Sequence, residues 1–501
     1  ALDINNDYPQ AIAELNSAVE LDPDFAEAHG ELSTTYYLNG DTERAREAAS
    51  RALQTGYRLS QTSKFVIKAN RYIYSGDFER GERVIDIWTQ VQPNSTHAFA
   101  AVVQLALLRG GNEALDKADS ALDRLLELEP TNYDIYRQKA ALEQQRGDFG
   151  AAAAHLNHFL EFEPDSSEAH LQLANVYQAQ GDLDTAQETL EDALILSDNP
   201  LASELALARL EARRGLYDAA EQRLARQLNE RLNTQQQFEV LAAQTEVAFV
   251  RGQIARAMAL LKELSESART TLPPMVRLVN IENQQPNLMI LLDRTEEALA
   301  YAEEIRAQLQ PPLDNYVNFT YTAIHRRSDN REEFRRWAEK TRDAANQLPE
   351  ILQTFIEVDA AQLAIWDEEF GIAVDHLDRA GALIDQSFLQ VLQNNLSISA
   401  VHVQMAEFYL DAAAPEKARS RLEAILKVFP AHAYAQLVLA KVYLAREDEV
   451  AARGLLESAL EIWSEADADY IHRREAVTLL DRLQDEVVGT HAGISATNAS
   501  A

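Results

Sequence analysis

The chain has 501 residues, 46% of them hydrophobic, enough to bury an apolar core along its whole length. Asp and Glu number 80 against 46 Lys and Arg, and the resulting net charge of −34 repels phosphate backbones and anionic lipid, which argues against nucleic acid or a membrane surface as partner. Cysteine is absent, which excludes disulfides, thiolate metal sites and a cysteine nucleophile, and no run reaches the roughly 18 apolar residues of a membrane helix.

The first element is NNDYPQAIAELNSAVELDP, an amphipathic helix closed by Pro23. By its phase it is the second helix of a hairpin. A partner helix is therefore expected upstream, and the chain is expected to be a segment of a larger protein. The next two units are AEAHGELSTTYYLNGDTERAREAASRAL, marked by Leu32, Tyr36, Gly40, Ala45 and Ala52, and FVIKANRYIYSGDFERGERVIDIW, marked by Ala69, Tyr72, Gly76, Gly81 and Trp88. The unit after them carries a short insertion around Gly110-Gly111 and ends KADSALDRLLELEP.

From Glu129 to Leu194 the chain repeats itself with a 34-residue step: Pro130 recurs as Pro164, Gly147 as Gly181, Asp148 as Asp182 and Ala152 as Ala186. Each unit predicts two helices broken at Gly-Asp, because glycine accepts the backbone angles that end a helix, and closed by a proline that cannot continue one. Small residues at Ala140 and Ala152 let the helices approach, with Tyr136, Leu156 and Phe159 filling the space between them. Leu207, Ala208, Gly215, Tyr217, Ala220 and Leu224 keep the same phase in the next unit.

Beyond Leu264, Pro273-Pro274, Pro286 and Pro311-Pro312 interrupt the pattern, which predicts kinked repeats or longer loops over residues 265–349. The phase returns with Ala360, Ala361, Phe370, Ala373 and Leu377, then Ala406, Tyr409, Ala418 and Pro430, then Ala440, Tyr443, Ala452 and Ala459. Residues 466–486 predict a capping helix, and 487–501, small and polar, a disordered tail. Four regions are thus expected: 1–264, an array that begins mid-repeat; 265–349, irregular; 350–486, a second array with its cap; and 487–501. The fold class expected is all-α, a solenoid of about twelve helix-turn-helix units.

The 34-residue hairpin with small residues at fixed positions resembles the tetratricopeptide repeat. Residues 8–95 are similar, more narrowly, to the carboxy-terminal repeat regions of bacterial eukaryotic-like serine/threonine kinases and CadC-type winged-helix regulators. Leu59-Ser60, Gly76-Asp77, Trp88 and Pro93 carry that likeness. It implies a membrane-anchored parent with an amino-terminal kinase or DNA-binding domain and an extracytoplasmic repeat region.

Catalytic motifs are missing from the sequence: it holds no phosphate-binding loop, no dinucleotide fingerprint, no H-E-x-x-H, no G-x-S-x-G and no kinase loop. No enzyme activity, cofactor or metal is expected. His155, His158 and Glu161 have ligand spacing on one helix, but the plainer expectation is partly exposed polar groups. Trp88, Trp337, Trp366 and Trp463 are expected to fill the core, and His170 and His402 to pack between helices.

In peptide-binding members of the resembled family, first helices line the concave face and a carboxylate clamp of basic and asparagine side chains grips a peptide terminus. Here that face is expected to carry Arg137, Ala141 and Gln144, then Leu171, Asn175 and Gln178, then Leu205, Arg209 and Arg213; Arg137, Asn175 and Arg209 match the clamp, while Ala141 and Leu205 depart from it. Two readings of these arginines stay open: donors to a peptide carboxylate, or ion pairs with neighbouring acids on a solvated face. The function expected is a non-catalytic protein-interaction module, the sensory or scaffold region of a bacterial signalling protein binding a peptide or protein. The alternatives are a periplasmic scaffold of envelope or polysaccharide-export machinery, and a substrate-positioning region of a serine/threonine kinase. An extracytoplasmic location is favoured, with no direct membrane contact by this segment.

Overall fold

The computed structural model describes residues 8–39, 41–56, 59–109, 111–228, 231–270, 277–278, 281–309, 311, 313–345, 352–387 and 399–498. Among these, every regular element is a helix, 26 of them α-helices. The first, Tyr8–Leu21, and the last, Ile471–Asn498, stand alone; the others pair in sequence as twelve hairpins, from Ala26–Leu38 with Thr42–Gln54 to Ala433–Leu444 with Glu449–Ile462.

One local device makes the hairpins. The helix Asp134–Arg146 ends at Gly147, whose φ of 77° turns the chain through the left-handed region. Asp148 N–H then reaches back to the Glu143 carbonyl (2.9 Å), and the Asp148 carboxylate accepts from Ala151 N–H (2.9 Å), capping the next helix. Ala140, Leu142, Ala152 and Leu156 are fully buried where the two helices meet. The same positive-φ turn residue recurs at Gly76, Gly181, Gly215 and Gly252, and then as Asp293, Asp329, Glu368, Ala413 and Glu447; Gly111 also has positive φ but is the N-cap of its helix, with an extended ψ of 145°. Gly40 and Gly110 lie outside the described residues.

The chain divides into two compact units, 1–162 and 163–501. The boundaries expected near 265, 350 and 487 all fall inside the second. Within the first unit, Trp88 is 1% exposed, stacks on Phe65 with ring centres 5.6 Å apart, and donates its indole N–H to Gln92 (2.8 Å). Successive hairpins share one seam there, for example Val103, Leu115, Leu122, Ile135 and Leu142.

The second unit includes shorter pieces, among them Gln285–Leu291 and Asn318–Arg327. Pro286 does not interrupt a helix; it sits in the first turn of Gln285–Leu291, where its missing N–H costs nothing. Pro311 lies in the link between Thr295–Gln308 and the 3₁₀ turn Leu313–Val317, while Pro273, Pro274 and Pro312 lie outside the described residues. The last helix continues past residue 486, where the sequence predicted a disordered tail, to Asn498. No proline stops it, and Gly489 and Gly493 weaken a helix without ending it.

The second unit also closes on itself. Turns from three successive hairpins touch residues more than 200 positions later. A Cβ on Gly181 would stand 2.9 Å from Lys427, one on Gly215 3.2 Å from Ala431, and one on Gly252 2.7 Å from Ala466. Ala431 N–H donates to the Arg213 carbonyl (3.1 Å), and the Tyr217 hydroxyl donates to the Ala431 carbonyl (2.8 Å). Asp467 N–H donates to the Gly252 carbonyl (3.1 Å), and its carboxylate accepts from Ala255 N–H (2.8 Å), capping a helix whose own Gln253 supplies no side-chain cap. Arg251, 7% exposed, bonds Glu465 (2.9 Å) together with Asp218 (3.0 Å). Beneath these contacts one core joins Leu241, Ile254, Leu261 and Leu292 to Leu437, Leu456, Trp463 and Leu483. Three glycines in left-handed turns serve twice here, since the backbone angle disfavours a side chain and the close approach leaves little room for one.

Candidate functional site

Arg137 and Gln144 belong to the first unit, and Asn175, Gln178, Arg209 and Arg213 to the second. Arg137 lies 3.1 Å from Asp134, with its guanidinium 5.6 Å from the centre of the Phe159 ring. Gln144 is half-buried. Gln178 is 2% exposed and its amide donates to Asn175 at 3.5 Å. Arg209 Nε donates to Glu246 at 3.0 Å, with both side chains largely covered. Arg213 is 5% exposed, and burial with Arg209 nearby pulls its pKa down to about 10. A peptide carboxylate arriving at Arg209 has to displace Glu246.

His158 Nδ1 sits 2.9 Å from Glu161, and its ring meets Tyr136 edge-on at 4.4 Å. Burial holds His155 below the ordinary histidine range. Trp463 is 1% exposed, Trp337 stacks on Tyr321 at 4.1 Å, and Trp366 meets Phe334 edge-on at 4.9 Å.

A further recess lies elsewhere in the second unit, a cavity of about 580 Å³. Its walls come from the first helices of consecutive hairpins: Phe249 and Val250 on Thr234–Val250, Asn287 and Leu291 on Gln285–Leu291, and Phe319, Ala323 and Arg326 on Asn318–Arg327. Phe355, Val358 and Asp359 follow on Gln353–Trp366, Val401 and Gln404 on Ser399–Asp411, and Tyr434 on Ala433–Leu444. Trp463, Tyr470 and His472, brought round by the closure, complete it. The array turns its first helices inward, and the seating of residues 427–470 on the earlier turns makes that inner face a chamber.

Its chemistry is apolar with two charges. Phe319 and Phe355 pack at 5.6 Å, and Tyr434 stacks on His472 at 4.0 Å. Behind Tyr434 the polar groups are fully engaged: Glu407 accepts from the Tyr434 hydroxyl (2.9 Å) and from Lys441 (2.5 Å), and Lys441 also reaches Glu475 (3.0 Å). Arg326 and Asp359 are different. Their closest atoms stand 3.6 Å apart, beyond hydrogen-bond length, and Asp359 Oδ2 is buried with no hydrogen-bond partner. Burial pushes the Asp359 carboxyl up to about 6 against the pull of Arg326, and holds His432 and His472 down at about 4. The sequence offered no motif for these residues. The available signal was an acid in the middle of the apolar run FIEVDAAQLAIW, where an uncompensated charge is costly.

Tetratricopeptide-repeat models match residues 2–59, 110–174, 167–199 and 404–467. These segments are tetratricopeptide repeats. No curated protein matches the chain. Among solved structures, a tetratricopeptide-repeat protein from Parabacteroides merdae is 18% identical over 52% of this chain and 98% of its own, with a TM-score of 0.37. Human IFIT1, solved as a dimer with m7Gppp-AAAA, is 13% identical over 91% of this chain and 95% of its own, with a TM-score of 0.36. The Cut9 and Hcn1 hetero-tetramer of APC/C gives 13% identity, coverage of 95% and 93%, and a TM-score of 0.34. At this level of similarity, what those proteins bind stays with them. Tetratricopeptide repeats serve as protein-interaction scaffolds, and that general role is the one the matches support.

Proposed function

We propose that the chain is a non-catalytic binding module that receives an apolar segment of a partner protein in the chamber of its second unit. The carrying observation is the chamber itself: its walls are drawn from first helices of consecutive repeats, and its volume falls in the range of ligand pockets. Aromatic walls with a few placed polar groups are the composition that holds an anchor residue of a partner. We place the module in a larger bacterial signalling protein, on the extracytoplasmic side, as its sensory or scaffold part; the support is the likeness carried by Leu59-Ser60, Gly76-Asp77, Trp88 and Pro93. The peptide-clamp reading of Arg137, Gln144, Asn175, Gln178, Arg209 and Arg213 is secondary, because Arg209 is already held by Glu246 and Arg213 is buried.

The test is a filled chamber. Peptides selected against the chain from a displayed random library are measured against wild type and Ala323→Trp, which places an indole into the cavity. The variant is expected to bind them at least about tenfold more weakly, the scale of losing one anchor contact, with helicity unchanged. Equal binding by wild type and variant places the interaction outside the chamber and overturns the proposal.

A further inference from the structure

Among the charged groups packed around the chamber, the pair on the inner wall is the one left unfinished. Lys441 and Glu407 close their charges with hydrogen bonds, and Arg251 does the same at the closure. The Arg326 guanidinium makes no hydrogen bond among the described residues; it faces Asp359 at 3.6 Å and lies 5.5 Å from the centre of the Phe408 ring. Asp359 is 5% exposed, and one of its oxygens accepts from nothing. Both side chains border the cavity. A buried carboxylate oxygen that accepts from nothing is a cost that folding alone leaves in place, and the Arg326 donors stand open beside it.

The geometry points to a site for an uncharged amide group, held with its carbonyl accepting from Arg326 and its N–H donating to Asp359, and attached to an aromatic or aliphatic body that fills the apolar part of the chamber. This deepens the proposed binding of a partner segment and rests on it. A backbone amide of that segment presents donor and acceptor side by side, as the pair requires. Net charge decides against the other candidates. Arg326 and Asp359 together are neutral, so an anion placed between them meets the Asp359 carboxylate and a cation meets the Arg326 guanidinium. The nearby Glu407, Lys441 and Glu475 are already engaged with one another. A free amino acid carries both charges but loses the hydration of two ions on entry, where an amide loses much less.

Four probes share a phenyl ring and differ only in the polar group: N-acetyl-L-phenylalaninamide, L-phenylalanine, 3-phenylpropionate and phenethylamine. Ligand-observed NMR titration of the whole chain is expected to rank the blocked amide tightest, with both single ions at least about tenfold weaker. Asp359→Asn removes the charged acceptor at constant shape and is expected to weaken the amide by about tenfold, while 3-phenylpropionate binds more tightly because Arg326 is left without its opposing charge. Arg326→Met removes the donors at similar length and is expected to weaken the amide likewise. If it fails to fold, Asp359→Asn together with the probe ranking decides the matter. Tighter binding of phenylalanine or of either ion, no measurable binding of the amide, or indifference of the amide to Asp359→Asn overturns the assignment. Should selected peptides still lose affinity for Ala323→Trp while the amide fails to discriminate, the chamber remains the binding site and only the amide contact is wrong.

Discussion

Glu368, Ala413 and Glu447 occupy the turn position that glycine fills in the earlier hairpins, with φ of 60°, 55° and 63°. A side chain there crowds the following carbonyl, which costs roughly 1–2 kcal/mol, offset in part by the lower entropy of a non-glycine residue when unfolded. Ala413→Gly is therefore expected to stabilise the second unit by about 0.5–1 kcal/mol, read as a higher urea midpoint; a lower midpoint contradicts the turn assignment. Arg209 makes an opposite case. Its side chain and that of Glu246 are 19% and 11% exposed. Arg209→Ala leaves a covered carboxylate unpaired and is expected to cost about 1–3 kcal/mol. Adding Glu246→Gln should return part of that loss, because the stranded charge is gone. Additive losses in the double variant would show that the two side chains do not interact. The sequence could rank Arg209 as a concave-face donor because spacing alone puts it on that face. It could not show the acid across from it, since Glu246 is supplied by the next hairpin, 37 positions on.

The helix Ala433–Leu444 begins at His432, whose Nδ1 accepts from Ala435 N–H at 3.2 Å, an unusual cap in a series otherwise served by Asp, Ser or Asn. Burial holds this histidine at about 4, well below its unfolded value of 6.5. Between those two values the unfolded chain binds the extra proton, so the cap's stabilisation is present above pH 6.5 and is lost as pH falls towards 4. Asn caps a helix without titrating. His432→Asn should then match wild type near pH 7.5 and be more stable than it near pH 4.5, by about 1–3 kcal/mol in thermal or urea unfolding. A constant difference at both pH values would show that the imidazole stays neutral, or is as easily protonated in the fold as out of it. At this scale the sequence was informative where the turn residue was glycine followed by aspartate, as at Gly147-Asp148 and Gly181-Asp182. It was weakest at Asp293 and Asp329, because an aspartate in a left-handed turn looks like any solvated acid in so acidic a chain.

The hairpins follow from local rules, each readable in about 34 residues, but the chamber does not. It depends on curvature accumulated over many repeats, until residues 427–470 meet the turns at Gly181, Gly215 and Gly252. Nothing in a window of sequence links Ala255 to Asp467, 212 positions away. Arg326 and Asp359 escaped notice for the same reason, being two side chains on different hairpins that gain meaning only as facing walls of one cavity. The central claim is that the second unit closes on itself, and the absence of cysteine makes it directly measurable. Gln253 Nε2 and Glu465 Oε2 are 3.3 Å apart at the exposed rim of the closure. In the variant Gln253→Cys/Glu465→Cys, a short bismaleimide is expected to join the two thiols within one chain at low protein concentration, giving a single intrachain product by mass spectrometry under native conditions and none in denaturant. A product with each thiol singly capped, or joined only between chains, would mean that the ring is open and that the chamber does not exist as described.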